Sequence, residues 1–212
     1  MNARLGRKLA RLLTRERELW ESGIERIAGV DEAGVGPLAG PLVAAAVVFP
    51  PGVGIRGVDD SKKVPAEKRA SLATEIRASA AAFAVAVVEA DEIDRINVYW
   101  AGLIAMARAL EALPVPPQHV LLDARRIPGC KLPQEPIVKG DAKCHAIAAA
   151  SILAKTVRDE LMVGYESTYP GYGFGAHKGY GTAGHRDALK RLGPCPIHRR
   201  SFLLVPPPTL FD

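Results

Sequence analysis

The feature that most constrains this chain is an uncharged apolar run, LVAAAVVF, at Leu42–Phe49. A Gly- and Pro-rich segment, GVGPLAGP, lies shortly before it, and a PPG turn signal ends it. A short apolar run bounded by turn residues indicates a strand in a protein interior. The shorter run Ile27–Asp31 predicts a second strand just upstream. The fold must therefore accommodate two adjacent carboxylates, Asp31 and Glu32, at the edge of its interior.

Further strands and helices are predicted along the chain. The strands are Phe83–Val88, HVLLDA ending in Asp123, and PIVKGD ending near Asp141. The segment VPAEKRASLATEIRASAAA predicts a helix with Pro65 near its first turn. Two more helices, the second beginning near Asp141, are marked by apolar stripes: Ile96, Trp100, Leu103, Ile104, Ala107 and Leu110, then Ala146, Ala150, Leu153, Val157 and Leu161. Short early links allow antiparallel pairing and helical crossovers require parallel pairing, so we expect an α/β fold with a mixed sheet and helices on its faces.

The domain organisation is predicted to be one core with two additions. Residues 1–26 form an amphipathic helical extension, marked by Leu5, Leu9, Leu12, Leu13, Leu19 and Trp20 at near-helical spacing. Its basic face has two interpretations: an arm that faces phosphates, or the solvated side of a docking helix, which we favour. Residues 27–165 form the core, and residues 166–212 form a helical and irregular appendage ending in a Pro-rich tail.

Composition limits the class of protein and its surroundings. The chain has 212 residues, 48% of them hydrophobic, and a net charge of +5. Positive charge favours a polyanionic partner, although a basic protein without such a partner is about as consistent. The odd, scattered cysteines (Cys130, Cys144 and Cys195) argue against a disulfide framework or a cysteine zinc site and suit a reducing cytosol. With no signal-like N-terminus and no run approaching a membrane span, we expect a cytoplasmic protein without a membrane partner.

The acids carry the strongest chemical signal. Asp31 and Glu32 follow the first strand, Asp123 the fourth and Asp141 the fifth, so all four can converge on one edge of a sheet. Clustered carboxylates repel one another unless cations neutralise them, and oxygen-only ligands suit Mg²⁺ or Mn²⁺. Two such ions about 3.5–4 Å apart are the usual apparatus of phosphodiester hydrolysis. The set therefore suggests a metal-dependent nuclease.

Each acid also has a plainer interpretation. Asp141 precedes a predicted helix and could be its N-cap. Asp123 could start a turn, and Glu32 could be a surface residue at a strand end. Asp31 is the hardest to dismiss, because it directly follows an apolar lead-in.

Seven motifs, in this order, resemble the ribonuclease HII family, the bacterial type 2 ribonucleases H. They are AGVDEAGVGPLAGPLVAAAVV, DDSKKV, INVYWAGLIAMARAL, VLLDA, VKGDAKCHAIAAASILAKTVRDELM, YPGYGFGAHKGYGT and GPCPIHRRSF. The resemblance implies an RNase H-like fold, with a five-stranded mixed sheet flanked by helices and a small C-terminal helical part.

The resemblance also implies an activity and its residues. Asp31, Glu32, Asp123 and Asp141 match the family's metal-binding carboxylates. The substrates would be RNA–DNA hybrids and duplex DNA with a single ribonucleotide, cut on the 5′ side of the ribonucleotide to leave a 3′-hydroxyl and a 5′-phosphate. Tyr180 would pack on the sugar and help sense the 2′-hydroxyl; alternatively it is a buried structural tyrosine. We expect the protein to be a monomer.

The loop Gly34-Val35-Gly36 departs from the family, which usually has Gly-Arg-Gly there. The change removes a guanidinium but no backbone amide, so we expect recognition through the main chain to survive with weaker binding or altered stringency. Cys144 stands where a small residue such as serine is more usual.

Other candidates for phosphate contact are cationic or hydroxylic. Ser61, Lys62 and Lys63 lie in DDSKKV, which could equally be a solvated loop. Lys155 and Arg158 lie on the last long helix, where Lys155 could simply pair with Asp159. The remaining candidates are His177, Lys178, Arg199 and Arg200.

Two other functions share some of these features. A DNA nuclease with the same fold, such as a junction resolvase, would use the four acids but would not need the glycine loop or Tyr180. A nucleic-acid-binding module that has lost catalysis would not need the acids at all.

Overall fold

The computed structural model describes residues 3–202, with side chains from residue 6 onward. The elements in chain order are α1 (Ala3–Leu12), α2 (Thr14–Glu21), β1 (Ile27–Ala33), β2 (Leu42–Val48), α3 (Ala66–Ser79), β3 (Ala82–Val88), α4 (Ala90–Glu111), β4 (His119–Asp123), β5 (Gln134–Ile137), a 3₁₀ helix (Gly140–Ala142), α5 (His145–Thr168), α6 (Phe174–His177) and α7 (Ala183–Leu192). Within residues 3–202, no helix has the length and apolar character needed to cross a bilayer.

The five strands form one mixed sheet in the order β3-β2-β1-β4-β5. β2 pairs antiparallel with both β1 and β3, whereas β4 pairs parallel with β1 and β5. Every residue of β2 is buried, as its uncharged sequence predicts. The predicted mixed sheet with helices on both faces is therefore confirmed.

The sheet separates two apolar cores. On one face α4 packs on residues such as Val30, Ala44 and Ala46, and on the other face α3 and α5 pack on Val43, Ala45 and Val47. β1 and α5 touch backbone to backbone, because a Cβ at Gly29 would lie 2.1 Å from the carbonyl carbon of Ala146. Only glycine permits this approach, which fixes the start of α5 against the central strand.

α4 differs from the predicted single apolar stripe because it is kinked at Asn97, which has φ 63° and ψ 162°. The Asn97 Oδ1 accepts hydrogen bonds from the backbone N–H groups of Tyr99 (3.0 Å) and Trp100 (3.2 Å), so it caps the second half of the helix. The kink turns Trp100 outward, and the prediction that it is buried is wrong. The buried residues after the kink include Ala101, Leu103, Ala105, Met106 and Ala109.

Three predicted boundaries near the acids are wrong. β1 continues to Ala33, so Asp31 and Glu32 lie within the strand. β5 ends at Ile137, and Asp141 lies in the following 3₁₀ helix. α5 begins only at His145 with Cys144 as its N-cap residue, so Asp141 does not cap it.

The N-terminal extension contains two docked helices where the sequence predicted one. Leu12, Leu13 and Leu19 are buried, while the side chain of Leu5 lies outside the described residues. Two of the basic residues contact carboxylates of the core: Lys8 pairs with Asp59, and Arg15 pairs with Glu135 at 2.7 Å. These contacts support the docking interpretation. At the other end of the core, α5 runs across the predicted boundary between residues 165 and 166.

Glu16 provides a cap to α5, the role that was one of two interpretations of Asp141. Its side chain is buried, and its Oε1 accepts a 2.8 Å hydrogen bond from the backbone N–H of Ala146. The Cys144 thiol donates to its Oε2 at 3.7 Å, which gives the unusual Cys144 a partner. The carboxylate thus satisfies a free amide at the positive end of α5.

Replacing Glu16 by Ala is expected to lower the free energy of unfolding by about 1–2 kcal/mol, because the buried Ala146 amide loses its acceptor. Glu16→Gln should lose less, since it keeps an oxygen acceptor and removes a carboxyl whose pKa burial raises. Urea denaturation measures both. Glu21→Ala, an exposed change in the same helix, is the control, and equal stability of Glu16→Ala and the parent would contradict the capping role.

Candidate active site

The four predicted acids lie in one cleft of about 400 Å³. β1 and β4 are parallel neighbours, and their register pairs Val30 with Leu122, so Asp31 and Asp123 follow at the same edge of the sheet. The 3₁₀ helix after β5 adds Asp141. A cleft of about 480 Å³ at the end of α4 contains none of these acids.

Every residue of the predicted metal and substrate sets lines this cleft. Its lining comprises Asp31, Glu32, Ala33, Gly34, Val35, Gly36, Ser61, Lys62, Asp123, Arg125, Asp141, Ser151, Lys155 and Tyr180. Sequence reasoning missed Arg125 and Ser151. Arg125 lies two residues after Asp123, a weak signal, whereas the apolar context of Ser151 in α5 gives none.

Asp31 and Glu32 point to opposite faces of the sheet. In the register of β1 and β2, Asp31 lies opposite Ala45, which faces α3 and α5. Glu32 lies opposite Ala44, which faces α4. Ser151 of α5 accordingly lies beside the Asp31 carboxyl and lowers its pKa against the effect of burial. The Ser151 hydroxyl also lies 3.0 Å from the Ser61 hydroxyl. Ser61 is buried, so this contact lies in the protein interior.

Burial and mutual repulsion raise the pKa values of three of the four acids. Burial, then the charges of Glu32 and Asp123, raise the pKa of Asp31 well above its usual value. Burial, with Asp123, also raises the pKa of Glu32. Burial, then Asp60 and Asp123, raise the pKa of Asp141. Asp60 is a further acid that the sequence analysis did not single out, although it begins the DSKK segment.

The donor set fits a hard divalent cation. Backbone amides orient two of the carboxylates: Glu32 N–H donates to Asp31 Oδ1 and Gly140 N–H to Asp123 Oδ1, each at 2.8 Å. The lining offers carboxylate oxygens but no His or Cys, which suits Mg²⁺ or Mn²⁺ rather than zinc. In the part of the chain the structure describes, no three acidic, His or Cys side chains are already grouped to hold an ion. A cation would offset the repulsion that raises their pKa values.

The glycine loop is held from behind by Arg199. Its guanidinium donates to the carbonyl oxygens of Gly34 (2.6 Å), Val35 (3.0 Å) and Gly40 (3.0 Å). Arg199 is fully buried; burial and the nearby Arg158 lower its pKa to about 9. The prediction that Arg199 contacts phosphate is therefore wrong, and the residue instead fixes the carbonyl side of the loop.

Arg158 joins the glycine loop to the Tyr180 segment. It donates to the carbonyls of Pro41 (2.9 Å) and Lys178 (3.0 Å), and it too is fully buried rather than open to phosphate. Gly34 has φ 102°, and a Cβ there would lie 2.3 Å from the Arg158 Nε, so the position requires glycine. The two segments are thus held in a fixed relation.

Tyr180 faces the cleft with 40% of its surface exposed, so the alternative of a buried structural tyrosine is wrong. The Lys155 Nζ lies 5.6 Å from the ring centroid. Lys155 also pairs with Asp159 at 2.6 Å, as the helical spacing predicted. Lys63 pairs with Asp60 at 3.2 Å, outside the cleft lining.

A chain of buried groups holds the backbone of Tyr180. Cys195 N–H donates to His198 Nδ1 (2.9 Å), and the Nε2 atoms of His198 and His185 lie 3.1 Å apart. His185 Nδ1 lies 2.9 Å from the Tyr180 carbonyl oxygen. Since His198 Nδ1 accepts, its Nε2–H must donate to His185, which leaves the His185 proton on Nδ1 to donate to Tyr180. Both rings are therefore neutral in this arrangement.

Acidification is expected to weaken this arrangement. Burial, together with His185, lowers the pKa of His198 from 6.5 to about 4. The unfolded chain therefore takes up the proton first, so the stability contributed by His198 falls as pH drops from about 6.5 to about 4. The difference in unfolding free energy between the parent and His198→Asn should shrink by about 1–2 kcal/mol from pH 7 to pH 5 in urea denaturation. A pH-independent difference would contradict the neutral assignment.

Comparison with known proteins agrees with this architecture. The family model for ribonuclease HII matches residues 28–205. Ribonuclease HII of Anaeromyxobacter sp. (strain Fw109-5) is 57% identical over 197 residues, covering 93% of this chain but 62% of that relative. Ribonuclease HII of Moorella thermoacetica is 56% identical over 187 residues, covering 88% of this chain and 91% of that relative.

A solved structure gives the same result for the fold. The crystal structure of ribonuclease H2 from Pyrococcus horikoshii OT3 matches with a TM-score of 0.70 and 26% identity, covering 84% of this chain and 94% of that one. The expected RNase H-like fold is confirmed. By its sequence, its fold and the residues that line its cleft, this chain belongs to the ribonuclease HII family.

Proposed function

We propose that the protein is a divalent-metal-dependent endoribonuclease. It hydrolyses the RNA strand of RNA–DNA hybrids and incises duplex DNA 5′ of a single ribonucleotide, leaving a 3′-hydroxyl and a 5′-phosphate. The observation that carries this proposal is the convergence of Asp31, Glu32, Asp123 and Asp141 from three elements on one cleft, in a member of this family.

The four carboxylates hold the divalent ions, Mg²⁺ or Mn²⁺, in this proposal. Two bound ions supply the activation of water and the stabilisation of the leaving oxygen in phosphodiester hydrolysis. The protein contributes fixed ligand positions: Ser151 and the Glu32 amide orient Asp31, and the Gly140 amide orients Asp123. Because the sheet and α5 anchor these groups, little reorganisation is needed at the moment of reaction.

Recognition of the ribonucleotide is assigned to the glycine loop and Tyr180. Gly34, Val35 and Gly36 line one part of the cleft and Tyr180 another, with Lys62 as a cation available to phosphate. A tyrosine ring packed on the sugar beside a close backbone can distinguish a 2′-hydroxyl from hydrogen. Val35 lacks the guanidinium that is usual in the family, so in this proposal the loop recognises the ribonucleotide through its main-chain groups.

The decisive experiment uses a DNA duplex with one ribonucleotide, compared with the all-DNA duplex, under Mg²⁺ and under Mn²⁺. We expect a single cut 5′ of the ribonucleotide, whereas the all-DNA duplex binds but is cut poorly. Comparable single-turnover cleavage of both would favour a DNA nuclease. Absence of divalent-ion binding in calorimetry would favour a non-catalytic module.

Val35→Arg tests the unusual loop in the same assay. Restoring a guanidinium should tighten binding of both duplexes, because an added cation contacts phosphate without regard to sequence. The preference for the ribonucleotide-containing duplex should persist. Loss of that preference would show that the loop's side chain, rather than its backbone, sets selectivity.

The cysteines bear on the compartment in which the protein works. Cys130, Cys144 and Cys195 are all free thiols, as suits a reducing compartment, so we propose a cytoplasmic location. We further propose that the protein acts as a monomer, which light scattering of the purified protein would test.

A further inference from the structure

We propose that Tyr99, Trp100 and Arg125 form a contact surface for the nucleic-acid duplex on the α4 side of the cleft. We call these three residues the aromatic platform. The inference rests on the proposed function, since it gives the substrate a further contact that neither the four acids, the glycine loop nor Tyr180 provides.

The two rings of the aromatic platform are exposed, and the three side chains of the platform contact one another. Tyr99 and Trp100 are 50% and 47% exposed, and their rings meet edge to face with centroids 5.6 Å apart. The Arg125 guanidinium carbon lies 5.0 Å from the centre of the Tyr99 ring. Exposed neighbouring aromatic rings of this size are unusual on a protein surface and often mark an interaction site.

Arg125 connects the platform to the cleft. It lines the cleft beside Glu32, whose pKa its charge partly lowers against the effect of burial. Its Nη1 is buried and has no hydrogen-bond partner among the described residues. The Arg125 side chain as a whole is only partly buried, so its guanidinium places a positive charge at the cleft that a phosphate of the duplex would meet.

The backbone beside the platform is strained in a way that exposes the rings. Asn97 has φ 63° and ψ 162°, a region that is populated almost only by glycine. An unbroken helix would avoid this strain and would change the direction of the two rings. Strain of this kind persists mainly where the resulting geometry has a use.

Charge and chemistry favour nucleic acid as the occupant. Aromatic faces and arginine together are the groups that pack against nucleotides. Arg126 beside Arg125 is exposed, and the three acids of α4 that precede the platform have partners: Asp91 pairs with Arg95, Glu92 pairs with Arg108, and Asp94 accepts hydrogen bonds from Ser201. The net charge of +5 acts in the same direction.

Tryptophan fluorescence tests the contact directly, because the chain has two tryptophans and Trp20 packs in a separate cluster with Leu19 and Ile147. The metal-free protein is titrated with a short duplex containing one ribonucleotide. We expect quenching that persists in Trp20→Phe and disappears in Trp100→Phe. Trp100→Ala should raise Kd and KM about five- to tenfold with kcat nearly unchanged, because the ring would pack on the sugar–phosphate backbone of the duplex equally in the bound substrate and in the transition state.

The control and the contrary outcomes separate this inference from the proposed function. Phe83→Ala removes an exposed aromatic ring of β3 outside the platform and should leave Kd and quenching unchanged. No quenching, together with parental Kd in Trp100→Ala, would overturn the platform even if cleavage were normal. Quenching by a duplex that the protein never cleaves would support the platform and contradict the proposed function.

Discussion

Replacing Asp31 by Asn is expected to reduce metal-dependent cleavage of the ribonucleotide-containing duplex by about a thousandfold or more. Asp31 is the most deeply buried of the four acids, and the charges of Glu32 and Asp123 both act on it. An amide keeps the shape but removes the charge that attracts a divalent ion. Loss of several kcal/mol of metal-assisted stabilisation corresponds to a rate loss of this size. Single-turnover cleavage under Mg²⁺ and Mn²⁺ measures it.

The same variant should be more stable than the parent when divalent ions are absent. The pKa of Asp31 is raised in the folded state, so its ionised form is unfavourable there, and its contribution to stability falls as pH rises from about 3.8 through the raised value. Asn removes this penalty at neutral pH. Added Mg²⁺ or Mn²⁺ should then stabilise the parent more than the variant, because an ion that binds the folded state shifts the unfolding equilibrium.

Asp187→Asn, at an exposed position of α7, serves as the control and should change neither property. Full activity of Asp31→Asn would refute the assignment of this carboxylate as a metal ligand. Reduced activity with reduced stability would instead indicate a general folding defect.

Replacing Arg199 by Ala is expected to lower the free energy of unfolding by about 2–4 kcal/mol, because three buried carbonyl oxygens lose their donors. Relief of repulsion with Arg158 offsets part of this loss. Arg199→Lys keeps the charge but not the planar fork, so it should fold better yet leave the glycine loop loosely held. We expect KM for the ribonucleotide-containing duplex to rise about tenfold in Arg199→Lys, with a smaller change in kcat.

The neighbouring residue gives a matched control. Arg200 is exposed, and its backbone N–H donates to Asp94 at 2.8 Å, a bond that Ala keeps, so Arg200→Ala should change stability by less than about 0.5 kcal/mol. Equal KM values for Arg199→Lys and the parent would show that the loop does not depend on this arginine.

The sequence predicts the sheet and the acids well because both depend on local patterns. Uncharged runs such as Leu42–Phe49 mark strands, and acids that follow parallel strands meet at one edge. The position of Asp141 was predicted less well, because a left-handed Lys139 ends β5 early and starts a 3₁₀ helix, which periodicity cannot reveal.

The residues that support the site could not be predicted, because their partners are remote. Arg199 looks like a cation in a Pro-rich tail, yet it bonds carbonyls about 165 positions away in the chain. Glu16 looks like one of several charges in a polar helix, yet it caps α5 across 130 positions. Only the folded backbone brings these groups together.

One helix, α5, contacts several separate parts of the candidate active site. Ser151, Lys155 and Arg158 follow one another at helical spacing, and they contact the Asp31 carboxyl, the Tyr180 ring and the carbonyl of Pro41. The beginning of the same helix rests on Gly29 and on the Glu16 carboxylate. A shift or rotation of α5 would therefore displace Asp31, Tyr180 and the glycine loop together. Through the bond between Glu16 and the Ala146 amide, the N-terminal extension is therefore connected by α5 to all three.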